Sequence, residues 1–122
     1  MALDISYDDA SGLLRIVGSG VVTMEDRRKC FGHIFSAPEY AAARHVLINA
    51  SEITNAPMDG DMPGMVNIVK SVRSRFPGRM AIVNSRAGHV TVSNIIAISS
   101  DPVDLSVKVF FTEGDALVWI LG

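Results

Sequence analysis

The chain of 122 residues contains a single cysteine, Cys30, so no disulfide can form within it. A lone thiol fits a reducing compartment. Surplus charge of either sign is also missing. Eleven Lys and Arg stand against 13 Asp and Glu, for a net charge of −2. Nucleic-acid binding draws on a basic stripe, and the near balance argues against one. No window reaches the roughly 18 consecutive apolar residues of a spanning helix. The opening Met1-Ala2-Leu3-Asp4 carries neither a basic region nor a long apolar run, so no signal peptide is expected and the cytoplasm is the default location. His33, His45 and His89 are scattered without metal-ligand spacing. Gly18-Ser19-Gly20 is too short for a phosphate loop and lacks its lysine. Asp59 and Asp61 offer fewer oxygens than a calcium loop requires. Neither a metal nor a cofactor is expected.

Hydrophobic residues make up 48% of the chain, enough for one packed core at the commonest domain size. One domain is expected over the whole length. The one run of like charge, Arg27-Arg28-Lys29, reads as a solvated helix face.

The hydrophobic pattern predicts the elements in order. Residues 3–8 alternate apolar and polar with period two, as a half-buried strand does. A turn at Asp9-Ala10-Ser11-Gly12 leads into a second strand from Leu13, which makes an antiparallel hairpin. Thr23 and Asp26 form a capping-box pattern ahead of a helix whose core stripe is Met24, Phe31, Ile34 and Phe35. Within the strand 44–54, His45-Val46-Leu47-Ile48 is apolar on both faces, as a parallel or mixed sheet with flanking helices demands. Asp61 is placed to cap the next helix, with Pro63 tolerated in its first turn. The stripe Met62, Met65, Val69, Val72 and Phe76 marks that helix as amphipathic. Met80-Ala81-Ile82-Val83 is the fourth strand, 89–100 a third helix and 106–111 the fifth strand. Thr112 and Asp115 repeat the cap before a short closing helix. The order β-β-α-β-α-β-α-β-α predicts a five-stranded mixed sheet with four helices and the first strand at or near an edge.

This layout resembles the SpoIIAA-like or STAS-like domain family. Four stretches carry the likeness: Gly18-Ser19-Gly20-Val21-Val22-Thr23-Met24-Glu25-Asp26, Val46-Leu47-Ile48-Asn49-Ala50-Ser51-Glu52-Ile53-Thr54, Arg79-Met80-Ala81-Ile82-Val83, and 109–121. The resemblance implies an α/β domain of that type. In the wider family, antagonists of anti-sigma factors are switched by a phosphorylated serine before the second helix, in an Asp-Ser-Ser-Gly-Leu type of motif. The matching stretch here is Pro57-Met58-Asp59-Gly60-Asp61. Asp59 occupies the acceptor register, so the hydroxyl is missing. A carboxylate carries about one negative charge against the roughly two of a phosphate, so any mimicry is partial. The resemblance then points to the SpoIIAA-like branch, for which ligand binding and membrane association are suggested.

Ligands of open α/β sheets meet the carboxyl ends of the parallel strands, near helix N-termini. That edge gathers Ser51, Thr54 and Asn55 after the third strand. It gathers Met58, Asp59, Asp61 and Met62 in the following loop and helix start, and Asn84, Ser85 and Arg86 after the fourth strand. Ser, Thr, Asn and Asp are also ordinary caps and turn formers. Clustered Met makes an adaptable surface. The helix expected at 89–98 is apolar beyond one face, which favours self-association or a lipid pocket. Cys30 and His33 are three residues apart, but a buried inert thiol is the simpler reading of Cys30.

These residues favour a non-enzymatic regulatory or protein-interaction module without the phosphorylatable serine. It would act through 55–64 and the second helix on a protein partner or a second copy, as a homodimer. The alternative is a protein that binds a lipid or small anionic ligand and associates peripherally with membranes. Its pocket would open between the second helix and the helix expected at 89–98.

Overall fold

The computed structural model describes residues 2–55, 61–85 and 106–122. The chain runs β1 (Leu3–Asp8), β2 (Leu13–Gly20), α1 (Met24–Ser36), a 3-10 turn (Pro38–Tyr40) and β3 (His45–Ile53). It continues through α2 (Met62–Arg75), β4 (Met80–Val83), β5 (Val107–Phe110) and α3 (Glu113–Leu121). The five strands form one sheet in the order β1-β2-β3-β4-β5. The pair β1–β2 is antiparallel and every other pair is parallel. This is the expected mixed sheet with β1 at its edge. The described residues hold three α-helices where four were expected, because the helix expected at 89–100 lies outside them.

The hairpin turn is built by Asp8. Its carboxylate accepts from the Ser11 hydroxyl at 2.7 Å and from the Ala10 amide at 3.3 Å, and Gly12 takes φ +68°. The Thr23 capping box forms as the sequence predicts. Thr23 Oγ1 accepts from the Asp26 amide at 3.1 Å, and Asp26 Oδ2 accepts from the Thr23 amide at 2.9 Å. Those bonds hold the exposed Asp26 carboxyl below its ordinary range. Thr112 caps α3 through the Asp115 amide in the same way. Asp61 stands at the N-cap position of α2, but its side chain makes no capping bond there. Its backbone is already helical, and a capping side chain needs the extended conformation that Thr23 and Thr112 adopt.

Alternation along the strands supplies two faces. Val46, Met80, Ile82 and Val107 turn toward α1 and α2, joined by Leu14 and Ile16 of β2. Leu47, Ala81 and Val83 turn toward Ala116 and Ile120 of α3. The steady advance from β2 to β4 explains why α1 and α2 share a face: parallel crossovers of one hand put their helices on one side. The last helix packs on the other. Val46 and Leu47 of β3 are buried on opposite faces because both sides of the sheet are covered there.

A bulge sits where β2 and β3 change register, between Val17/Asn49 and Ser19/Glu52. There Asn49 Oδ1 accepts from the Ser51 amide at 3.0 Å, so the side chain satisfies a backbone group that the bulge takes from the ladder. Gly18 allows Ile53 to pass close by. A Cβ on it would stand 2.6 Å from Ile53 Cδ1.

The Asn49 amide also donates to Glu113 Oε2 at 2.7 Å, and Arg15 donates to both Glu113 oxygens at 2.6 and 2.8 Å. This ties the start of α3 across the sheet to β2 and β3. The Arg15 bond, helped by Asn49, holds the Glu113 carboxyl below its ordinary 4.5 although partial burial opposes the shift. A carboxyl depressed on folding contributes stability that is present above about pH 4.5 and is lost as pH falls through its lower folded value. Stability measured by urea denaturation is therefore expected to fall below about pH 4.5, and Glu113→Gln to flatten that fall. An unchanged acid limb in Glu113→Gln would remove this pair from the pH dependence.

Candidate functional site

The carboxyl edge of the sheet is knitted by its own polar groups. Asn55 grips the strand-to-helix connection before α1: its Oδ1 accepts from the Val22 amide at 2.8 Å and its Nδ2 donates to the Val22 carbonyl at 2.9 Å. The Thr54 amide donates to Gly20 O at 2.8 Å, leaving the Thr54 side chain exposed. Ser51 Oγ accepts from the Ser85 amide at 3.1 Å, joining the ends of β3 and β4. Asn84 is buried, and its amide donates to Phe110 O at 2.9 Å. Met62 packs half-buried against the core under α1 and α2. The structure thus brings Ser51 together with Ser85, and Asn55 with Val22. Met58, Asp59 and Arg86 lie outside the described residues, as does the stretch corresponding to the phospho-acceptor motif except for Asp61.

The feature the sequence did not disclose lies beside this edge, under the first half of α2. Val69, Val72 and Phe76 are buried, as the stripe predicts, but Met62, Met65 and Ile68 are only half-buried. Beneath Met65 and Ile68 is a cavity of about 90 Å³ between α1, α2 and the sheet. Ile16, Ile48 and Ile82 form its floor, Phe31 one wall, and Met65 and Ile68 the roof. Ala50, whose side chain is short, leaves part of the floor unfilled.

One lining residue is charged. Arg27 is buried at 8% exposure, and its Nη1 donates to the Val22 carbonyl at 3.0 Å. Burial pushes its pKa down, while Asp61 and Asp26 push it back up. The solvated face expected for Arg27-Arg28-Lys29 is therefore corrected at Arg27. The periodicity held the signal: Arg27 precedes Phe31 by four residues and Ile34 by seven, so it sits on the core stripe itself.

Cys30 is buried next to this stripe, and burial pushes its thiol up to about 11. A thiol so placed is largely protonated at neutral pH and is a poor nucleophile. His33 packs edge-on against Tyr40, with ring centroids 6.0 Å apart. No group of three or more His, Cys, Asp or Glu among the described residues could hold a metal ion. No described helix is long and apolar enough to cross a membrane.

A mixed sheet with β1 antiparallel at its edge, two helices on one face and a closing helix on the other defines a SpoIIAA-like fold. Solved structures show the same arrangement. The chain is similar to an uncharacterised protein of the DUF3478 family with a SpoIIAA-like fold from Shewanella loihica PV-4. The identity is 20% and the TM-score 0.61, over 98% of this chain and 92% of that one. It is also similar to the protein TM1081, at 17% identity and a TM-score of 0.65, over 95% of this chain and 86% of the other. At these identities the likeness is one of fold. No family model matches the chain, and no curated protein matches it.

Proposed function

We propose that the protein is a non-enzymatic binding module that holds a small apolar or amphiphilic ligand between α1, α2 and the sheet. The observation that carries this reading is the cavity of about 90 Å³ under the half-buried side chains Met65 and Ile68. Protein interiors are otherwise close-packed, and voids larger than a water molecule are few. The flexible Met65 side chain forms part of its cover and can adapt to an occupant. The site differs from the pocket expected between α2 and 89–98, since it is bounded by α1. This observation moves ligand binding ahead of the regulatory interaction module. The two are compatible if the occupant controls a partner. The raised Cys30 thiol and the spent polar groups at the sheet edge support binding without turnover.

The test is a titration with 1-pentanol followed by amide shifts in two-dimensional NMR. Shifts are expected at Ile48, Ala50 and Met65. The variant Ala50→Leu adds three carbons to the floor. It is expected to abolish those shifts while keeping or raising the melting temperature, as cavity-filling changes do by about 0.5–2 kcal/mol. Shifts that persist in Ala50→Leu, or none in the wild type, would remove the cavity as a ligand site.

A further inference from the structure

We infer that the occupant of this cavity is a short-chain amphiphile with a single anionic head, seated with its apolar tail on Ile48, Ile82 and Phe31 and its head on the Arg27 guanidinium. The inference rests on the cavity being a ligand site and names the chemistry that site selects.

Among the described residues, Arg27 is the one charged residue that lines the cavity, at 8% exposure. A buried charge among apolar side chains is costly unless it is paired and hydrogen-bonded. Among the described residues, the hydrogen bond of this guanidinium is the one to the Val22 carbonyl. A guanidinium carries five N–H donors in a planar fork that fits a carboxylate with two parallel bonds. Most of its donor capacity is therefore available to an occupant.

Among the described residues, the carboxylates acting on Arg27 are Asp61 and Asp26. Asp26 is committed to the Thr23 cap, and the negative charge of Asp61 opposes an anionic head.

Size sets the tail. An apolar cavity of about 150 Å³ accepts benzene, so about 90 Å³ takes roughly three or four carbons. Pentanoate, with four carbons behind its carboxylate, is the matched probe, and 1-pentanol is its neutral counterpart.

Dissociation constants of both probes are to be measured by NMR titration on wild type, Arg27→Met and Asp61→Asn. Pentanoate is expected to bind wild type at least tenfold more tightly than 1-pentanol. Arg27→Met is expected to bring that ratio near one while 1-pentanol still binds, and Asp61→Asn to widen it. Equal affinities in wild type would overturn the anionic head and leave the cavity reading standing. Failure of both probes would overturn both. Should Arg27→Met not fold, the wild-type ratio and the Asp61→Asn response still decide. A ratio unmoved or narrowed by Asp61→Asn would count against Arg27 as the head-group partner.

Discussion

Gly78→Ala is expected to destabilise the protein by about 3 kcal/mol or more, the cost of overpacking plus at least one strained hydrogen bond. A Cβ at this position would stand 2.2 Å from His45 Nδ1 and 2.5 Å from the Arg44 carbonyl oxygen. The imidazole could swing aside, but the carbonyl is backbone and accepts from the Gly78 amide at 2.7 Å. Moving the ring is costly too, since His45 Nδ1 accepts from the Arg79 amide at 3.0 Å. Arg73 donates to the Gly78 and Phe76 carbonyls from the other side, so the turn cannot retreat toward α2. For a chain of this length the loss corresponds to a fall of about 10–15 °C in melting temperature. A melt within about 3 °C of wild type would mean that this turn relaxes freely and that the packing against β3 is looser than described.

Leu47→Ala has the second large effect, about 4 kcal/mol. Leu47 is fully buried at the centre of β3. Truncating such a residue costs about 2–5 kcal/mol, at the upper end where the site cannot collapse. Among the described residues this face has a small core: Leu13, Leu47, Ala81, Val83, Ala116 and Ile120 are buried in it. They are what fastens α3, whose outer side chains Val118 and Leu121 are exposed together with Phe111 before it. The loss should therefore fall on α3 first. Its Trp119, the chain's single tryptophan, reports this directly. The ring lies 5.6 Å from Phe110, with the Arg79 guanidinium at 5.3 Å and the Lys108 ammonium at 5.2 Å. In wild type, tryptophan emission and far-ultraviolet circular dichroism are expected to change at one urea concentration. In Leu47→Ala emission should change first. Coincident transitions in the variant would show that α3 unfolds only with the whole domain.

The fold was legible where local chemistry and periodicity agreed. Thr23 with Asp26, and Thr112 with Asp115, announce their helices because a hydroxyl and an amide three residues apart can meet only there. The strand within 44–54 reads correctly because Val46-Leu47-Ile48 is apolar on both faces. Asp61 shows where residue type is insufficient: an acid before a helix caps it only if its own backbone stays extended. The site was harder to read, because it is made by what does not touch. A cavity is a mismatch of side-chain lengths between α2 and the sheet, here at Ala50 and under Met65, and no linear pattern encodes such a gap. Arg27 was legible in principle. Its charge and its neighbours in sequence argued for solvent, while its phase with Phe31 and Ile34 argued for the interior. The phase prevailed because a long side chain can bury its stem and bring its head to the Val22 carbonyl.

The order β1-β2-β3-β4-β5 has a bearing on biosynthesis. Each strand is paired with the one made just before it, so the sheet can be laid down in step with emergence from the ribosome, with small loop-closure cost at each addition. Arg15 breaks that rule: its carboxylate partner, Glu113, comes 98 residues later. Among the described residues, it is α3 that covers Leu47 on this face and brings a carboxylate to Arg15 and Asn49. Before Glu113 is made, Arg15 and Asn49 lack the carboxylate that joins them across the sheet, so this contact is among the last of the described ones to form.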